Sequence, residues 1–317
     1  MVEEYLAGTE DDHFQIPEGH RSGFVAVIGK PNVGKSTLIN AILGEKVAIA
    51  TPKPQTTRIQ QLGILTRSDA QVIFIDTPGI HKPQHALGKF MVETAVRALQ
   101  DADGILFLTD VSHDITAEDR NVAGYLPEIG AENVLIRVLN KVDLAGAPLE
   151  YQRRVDEHLG LCPFTEWLTT IASEGKGIND LVETLIQHLP EGPRYYPPDQ
   201  VSDLWTREIA AEMIREAALL LTQEEVPHSV AVAVNEFKER PNGMLYISAE
   251  LYVERDSQKG IVVGKGGRMI KQISSQAREE IEAFLKQRVY LDLHVKVLKN
   301  WRRDENALRR LGYRIER

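Results

Sequence analysis

The stretch Gly29-Lys30-Pro31-Asn32-Val33-Gly34-Lys35-Ser36 constrains this chain more than any other, because it spells GxxxxGK[ST] between an apolar run and a helical one. Phe24-Val25-Ala26-Val27-Ile28 reads as a buried parallel strand, and Thr37-Leu38-Ile39-Asn40-Ala41-Ile42-Leu43 has the apolar spacing of a helix. Strand, glycine-rich loop and helix in that order build an anion site. Glycine lets the backbone fold tightly, so successive N–H groups and the positive end of the helix face phosphate oxygens. Candidate phosphate contacts therefore run from Gly29 to Thr37, with Lys35 as a point charge on the β- and γ-phosphates and the Ser36 hydroxyl as a ligand of Mg²⁺.

Further short apolar runs, Gln71–Ile75, Gly104–Thr109 and Asn133–Leu139, alternate with helical segments, which predicts a doubly wound α/β sheet with ligand sites at the strands' carboxyl ends. Each of the next motifs follows such a run. Asp76-Thr77-Pro78-Gly79 matches DxxG: Asp76 is expected to hold Mg²⁺ through a water, and the Gly79 N–H to sense the γ-phosphate. Asn140-Lys141-Val142-Asp143 matches NKxD, in which the Asp143 carboxylate accepts from both N1–H and the 2-amino group of guanine. Adenine offers neither donor and would leave a desolvated charge unpaired, so GTP and GDP are the expected ligands. Asn140 is expected to brace the loop or meet the base edge, and the Lys141 stem to lie over the ring. Pro54-Gln55-Thr56-Thr57-Arg58 is read as a first switch, with Thr57 favoured over Thr56 as the second hydroxyl ligand of Mg²⁺. Ala172-Ser173-Glu174-Gly175-Lys176-Gly177 sits where a base-binding SAxxGxG turn is expected; Ile171 replaces the usual serine, which leaves the Ala172 N–H as the contact.

These four elements in this order resemble the translation-factor-like GTPases of the Era and Der type. The resemblance implies an apolar residue after DxxG, matched by Ile80, and therefore no adjacent side chain to orient the attacking water. It also implies a potassium ion held by the loop asparagine, Asn32, in the manner of an arginine finger. Lys35, Thr57, Gly79 and Asn32 are then the candidate catalytic residues, and unaided phosphoryl transfer is expected on the order of 10⁻⁴ to 10⁻³ per second.

Prolines and glycine at Leu189–Asp199 break the pattern. The expected division is an acidic, mobile extension over 1–22, a nucleotide domain over 23–189, a proline-rich linker over 190–201 and a second domain over 202–317. In the second domain a helix is expected over Asp203–Leu221, then strands through Val230, Val232 and Val234 and through Leu245–Val253. A short helix near Ser257–Val263, a long one over Arg268–Gln287 and a last strand through Val289–Val297 complete it. Gly264-Lys265-Gly266-Gly267 falls between the two later helices, as does the GxxG turn of a KH module, and the order αββααβ is that of the type II KH fold. Lys259, Lys265, Arg268 and Lys271 flank the turn; Lys296, Lys299, Arg302 and Arg303 follow beside Trp301, read as a stacking aromatic for single-stranded RNA. The bland alternative is a solvated charged face.

A GTPase domain joined to a KH domain resembles the Era family of small-subunit ribosome-assembly factors across nearly the whole chain. That resemblance implies binding at the 3′ end of 16S rRNA in the 30S subunit. With a formal charge of −9, any nucleic-acid contact has to come from a local basic patch. A single cysteine, Cys162, excludes an intramolecular disulfide. The first residues lack a signal peptide's basic and apolar regions, so a cytoplasmic monomer is expected. Two rivals remain: a division regulator whose second domain docks on protein or peripherally on the inner membrane, and a nucleotide-regulated RNA-binding module that hardly turns over.

Overall fold

The computed structural model of the chain describes residues 17–51, 53, 56–126, 134–204 and 206–313. Residues 1–16 of the expected extension, Pro54 and Gln55 of the expected switch, and Asn133 at the head of a predicted strand lie outside the described residues.

The first half forms strands β1 (Arg21–Ile28), β2 (Gln61–Thr66), β3 (Ala70–Asp76), β4 (Gly104–Asp110), β5 (Val134–Asn140) and β6 (Glu166–Thr170), with helices α1 (Lys35–Leu43), α2 (Ala86–Gln100), α3 (Ala117–Ala123), α4 (Pro148–Leu159) and α5 (Ile178–His188). They make one sheet of order β2-β3-β1-β4-β5-β6, in which only the β2–β3 pair is antiparallel. Both faces are covered. Val25, Val27, Leu106 and Leu108 pack beneath α1 and α5, while the residues between them, Ala26, Ile28 and Phe107, pack beneath α2 and α3. Successive side chains enter opposite cores, which is why these strands read as unbroken apolar runs. The two edge strands escape that signature: β6 exposes Glu166 and Trp167, and β2 directly follows the polar switch segment.

The second half contains α6 (Thr206–Leu221), a one-turn α7 (Val226–Ser229), β7 (Ala231–Glu239), β8 (Leu245–Val253), α8 (Asp256–Val263), α9 (Arg268–Leu285), β9 (Val289–Val297) and α10 (Glu305–Arg310). The sheet order is β7-β8-β9, antiparallel then parallel. β8 alternates buried and half-buried at every position, and its Ile247, Ala249 and Leu251 meet Ile273, Ala277 and Ile281 of α9 and Ile214 of α6. The expected αββααβ order is present, with α7 and α10 in addition. α6 starts at Thr206 rather than Asp203, because the Asp203 carboxylate instead accepts from the Leu62 N–H of β2 at 2.8 Å.

The connecting segment lies against the first sheet. The Ile64 N–H donates to the Val201 carbonyl at 2.9 Å, and the Gln71 side chain accepts from Tyr195 N–H at 2.7 Å and Tyr196 N–H at 2.9 Å. A further core joins the two halves: Leu87 and Met91 of α2 pack with Ala231, Trp301, Leu308 and Tyr313. Among the described residues no helix is long and apolar enough to cross a membrane.

Candidate nucleotide site and nucleic-acid turn

α1 begins at Gly34 (φ 104°) with no side chain capping its first turn, so its leading N–H groups face the loop unclaimed by any cap. They border a cavity of about 600 Å³ that Lys35, Ser36, Thr37, Thr57, Gly79 and Lys141 help to line. Gly79 must be glycine to be there, since a Cβ would come within 2.9 Å of the Pro31 nitrogen. Close approach of the DxxG turn to the phosphate loop is therefore a packing demand as well as a functional one. His81, buried, sets its Nδ1 at 2.8 Å from the Gly79 carbonyl and holds that turn in place.

Three separate segments converge on one point. The Ser36 hydroxyl donates to Asp76 Oδ2 at 2.8 Å, the Ser36 and Thr57 hydroxyls are 2.9 Å apart, and the Thr57 hydroxyl donates to Asp76 Oδ2 at 3.3 Å. Asp76 Oδ1 is buried and receives no hydrogen bond among the described residues. Two hydroxyl oxygens and a carboxylate with an unsatisfied oxygen are a hard, oxygen-only donor set of the kind Mg²⁺ takes. Burial pushes the Asp76 carboxyl up to about 6, against the opposing pull of Lys35 and of the Ser36 and Thr57 hydroxyls. Burial likewise brings Lys35 down to about 8, with Asp76 opposing.

The Lys35 shift has a measurable consequence. With Lys35 read as the phosphate lysine, binding needs its ammonium form, so binding above pH 8 is expected to draw a proton from solution and affinity to fall as pH rises past that value. Calorimetry in buffers of different ionisation enthalpy should find little proton uptake near pH 7 and uptake approaching one proton by about pH 9.

The chain's own hydrogen bonds engage several of these groups, meeting the expectation that Asn140 braces the loop and correcting that of a free Ala172 N–H. The Lys30 ammonium pairs with buried Asp119 at 2.7 Å. The Thr77 hydroxyl donates to the Val27 carbonyl at 2.7 Å, tying β3 to β1. Asn140 braces the loop: its amide donates to the Val33 carbonyl at 2.9 Å, while its oxygen accepts from the Thr170 hydroxyl at 3.0 Å and the Ala172 N–H at 3.1 Å. The Ala172 N–H is thus engaged by Asn140 rather than offered to a base, which leaves exposed Ser173 as the polar group of that turn. Lys141 reaches across to the Asn32 carbonyl at 2.8 Å and Asp110 at 2.6 Å, while Asp143 is exposed.

In the second half, Gly264–Gly267 joins α8 to α9 as expected. Lys259, Lys265, Arg268 and Lys271 are all exposed around it, beside the exposed apolar Ile261 of α8. Trp301 is not part of that surface. It is fully buried, its indole N–H donates to the Ser229 carbonyl at 2.9 Å, and its ring stacks on Tyr313 at 5.9 Å. Arg302 pairs with Glu254 at 2.5 Å, while Arg303 is exposed. An indole in a basic stretch reads as a stacking platform until its burial is known.

Residues 24–141 match the family model described as a 50S ribosome-binding GTPase, and residues 225–302 match the KH domain model. Among solved structures, that of Era in complex with MgGDPNP and nucleotides 1506–1542 of 16S ribosomal RNA is 41% identical, with a TM-score of 0.89 over 93% of this chain and 100% of that one. A structure of a point variant of Aquifex aeolicus Era bound to GDP·AlF4⁻ is also 41% identical, with a TM-score of 0.88 over the same shares. Identity at that level over the relatives' whole length, in a chain carrying both matched domains in the same order, makes this protein a member of the Era family of GTPases.

Proposed function

We propose that this chain binds and hydrolyses GTP in the cavity beside Lys35 and binds single-stranded RNA at the Gly264–Gly267 turn, as a nucleotide-gated factor in small ribosomal subunit assembly. The observation that carries the reading is the meeting of Ser36, Thr57 and Asp76 at one point with a buried, unsatisfied carboxylate oxygen. Family membership supports the same reading, since one relative's crystal structure holds MgGDPNP and nucleotides 1506–1542 of 16S ribosomal RNA. The functional units we assign are a GTPase domain over 23–189, a linker over 190–201 and a KH domain over 202–317, working in the cytoplasm.

Ser36 and Thr57 would hold Mg²⁺ through their hydroxyls and Asp76 through a water; the ion supplies positive charge at the β- and γ-phosphate oxygens. Lys35 adds its ammonium to the same oxygens, the first-turn N–H groups of α1 cradle them, and Asp143 selects guanine. Ile80 is fully buried and apolar, and His81 faces the Gly79 carbonyl, so neither orients an attacking water. A slow intrinsic rate follows. Asn32, exposed at the edge of the cavity, is the residue we assign to a potassium ion. Single-turnover hydrolysis is expected to run about tenfold or more faster in potassium than in sodium, because a cation there neutralises charge as an arginine finger does. Equal rates would remove the role of Asn32.

The test of the whole reading is calorimetry with purified protein and magnesium, in which GTP binds and ATP does not. Equal uptake of the two nucleotides overturns it. RNA titration in the presence of GTP, GDP or neither tests the gating; identical affinities in all three states remove it.

A further inference from the structure

The wall of the cavity that carries Thr57 is backed by the second domain. Thr56, Thr57 and Arg58 are held from behind on both sides of the threonine. Before it, the guanidinium of Arg215, on α6 and only 1% exposed, donates to the Thr56 carbonyl and is aimed by Glu212, whose Oε1 accepts from Nε at 2.9 Å. After it, the Arg58 side chain leaves the first domain altogether. Its guanidinium is 3% exposed, donates to the carbonyls of Val230 at 2.5 Å, His228 at 3.2 Å and Pro227 at 3.3 Å, and lies 5.6 Å from the Trp301 ring centroid. Seven residues upstream of Thr57, the Ala50 N–H donates to Glu216 Oε1 at 3.2 Å, and Lys46 pairs with Glu216 at 2.6 Å.

We propose that Arg215 and Arg58 are positioning residues for GTP hydrolysis: α6 and the α7–β7 turn fix the backbone on either side of Thr57, so that its hydroxyl stays on the point shared by Ser36 and Asp76. The inference rests on Thr57 being the switch ligand. A buried guanidinium bonded to a carbonyl is a directional clamp, since its donors lie in one plane and it cannot shed its charge. The backbone of residues 56–58 cannot move off the phosphate loop without straining or breaking bonds to two buried guanidinium groups. The residues read as base contacts, Asp143 and the Ala172–Glu174 turn, lie on other elements, so the effect should appear in hydrolysis and in preference for the triphosphate, and not in affinity for GDP.

A cycle in the full-length protein tests this. Arg215→Ala should lower the single-turnover rate in potassium and magnesium about tenfold or more, since a misplacement on the order of 1 Å is that expensive in rate. Its affinity for GDP should stay within about twofold of wild type, and in a Thr57→Ala background the same change should have almost no further effect, because residues acting through one another are not additive. Glu212→Gln, a milder change at a partly exposed site that loosens the aim of Arg215, should move the rate in the same direction and serves where Arg215→Ala does not fold. A wild-type rate in both variants, or equal losses in the wild-type and Thr57→Ala backgrounds, overturns the proposal. A wild-type rate in Thr57→Ala alone overturns the assignment of Thr57 itself, and the two failures are thereby separate.

Discussion

Replacing Asp143 by Asn is expected to weaken GTP binding on the order of 100-fold or more and, in the same protein, to admit xanthosine triphosphate. The carboxylate presents two acceptors to a purine edge, and guanine answers with two donors, N1–H and the 2-amino group. An amide presents one acceptor and one donor, so its NH₂ opposes the guanine amino group while its oxygen still accepts from N1–H. A hydrogen bond to a charged group, about 1.5–3 kcal/mol, is exchanged for a donor–donor clash. Xanthine carries a carbonyl where guanine carries the amino group and restores the match. Asp143 is exposed and lies in a short turn after β5, so the exchange should leave the fold untouched. The phosphate site is unaltered too, because Lys35, Ser36 and Asp76 lie on other segments. Competition of fluorescent GDP by GTP, xanthosine triphosphate and ATP reads all three affinities at once. Undiminished GTP affinity in the Asp143→Asn variant would falsify the assignment of the base pocket, whereas weaker GTP binding with no improvement for xanthosine triphosphate would place Asp143 near the base but not on its edge.

What the residues declared of this site, and what they withheld, divides along a physical line. The phosphate loop, the DxxG and NKxD turns and the Gly264–Gly267 turn were legible because each needs particular residues at fixed spacing, glycines for the backbone or carboxylates for a ligand, and each follows a strand or joins two helices in short range. Ser36, Thr57 and Asp76 converge because β1, which leads into α1, the loop before β2 and the end of β3 belong to three neighbouring strands of the sheet. Burial against a partner far along the chain was not legible. Period two and period 3.6 say which face of an element is covered, never by what. So Trp301 read as a platform for bases, although it is the centre of a core that joins α2 to the carboxyl-terminal segment. Arg58 read as one more polar residue of a switch, although its three carbonyl partners lie 169 to 172 positions away. Ala172 and Thr77 sit inside the expected motifs with their polar groups already engaged by Asn140 and Val27. Motif spacing assigns a residue to a neighbourhood; only its hydrogen bonds say whether it has anything left to offer a ligand.

The joint change Gly266→Asp and Gly267→Asp should abolish most RNA binding while leaving GTP hydrolysis in the absence of RNA as it is. Both glycines have left-handed backbone, φ 62° and 77°, and no atom lies within 4 Å of where a Cβ would stand at either. Aspartate is among the few side chains that tolerate this conformation, so the double variant has room to fold. The same open space is what a nucleotide backbone needs in order to lie against bare main chain, as strands do in the GxxG turns of KH domains. Two carboxylates there meet phosphates head on, amid the exposed cations Lys259, Lys265, Arg268 and Lys271. Partial cancellation of that basic patch changes more than affinity. For every phosphate that the protein no longer neutralises, the slope of log affinity against log salt falls by about 0.7 for a single strand, so the double variant should show a shallower dependence as well as a drop of about 100-fold at low salt. Lys271→Ala, which removes one cation without adding an anion, should weaken binding less and reduce the slope by about one phosphate's worth. Buried Trp301 supplies the control from the other direction: because its ring touches Tyr313 and Arg58 rather than solvent, Trp301→Phe should lower the thermal midpoint and leave the salt slope unchanged. If the double aspartate variant keeps wild-type affinity and slope, RNA is held elsewhere on the molecule; if Trp301→Phe alters the slope, the indole reaches the nucleic acid in the bound state after all.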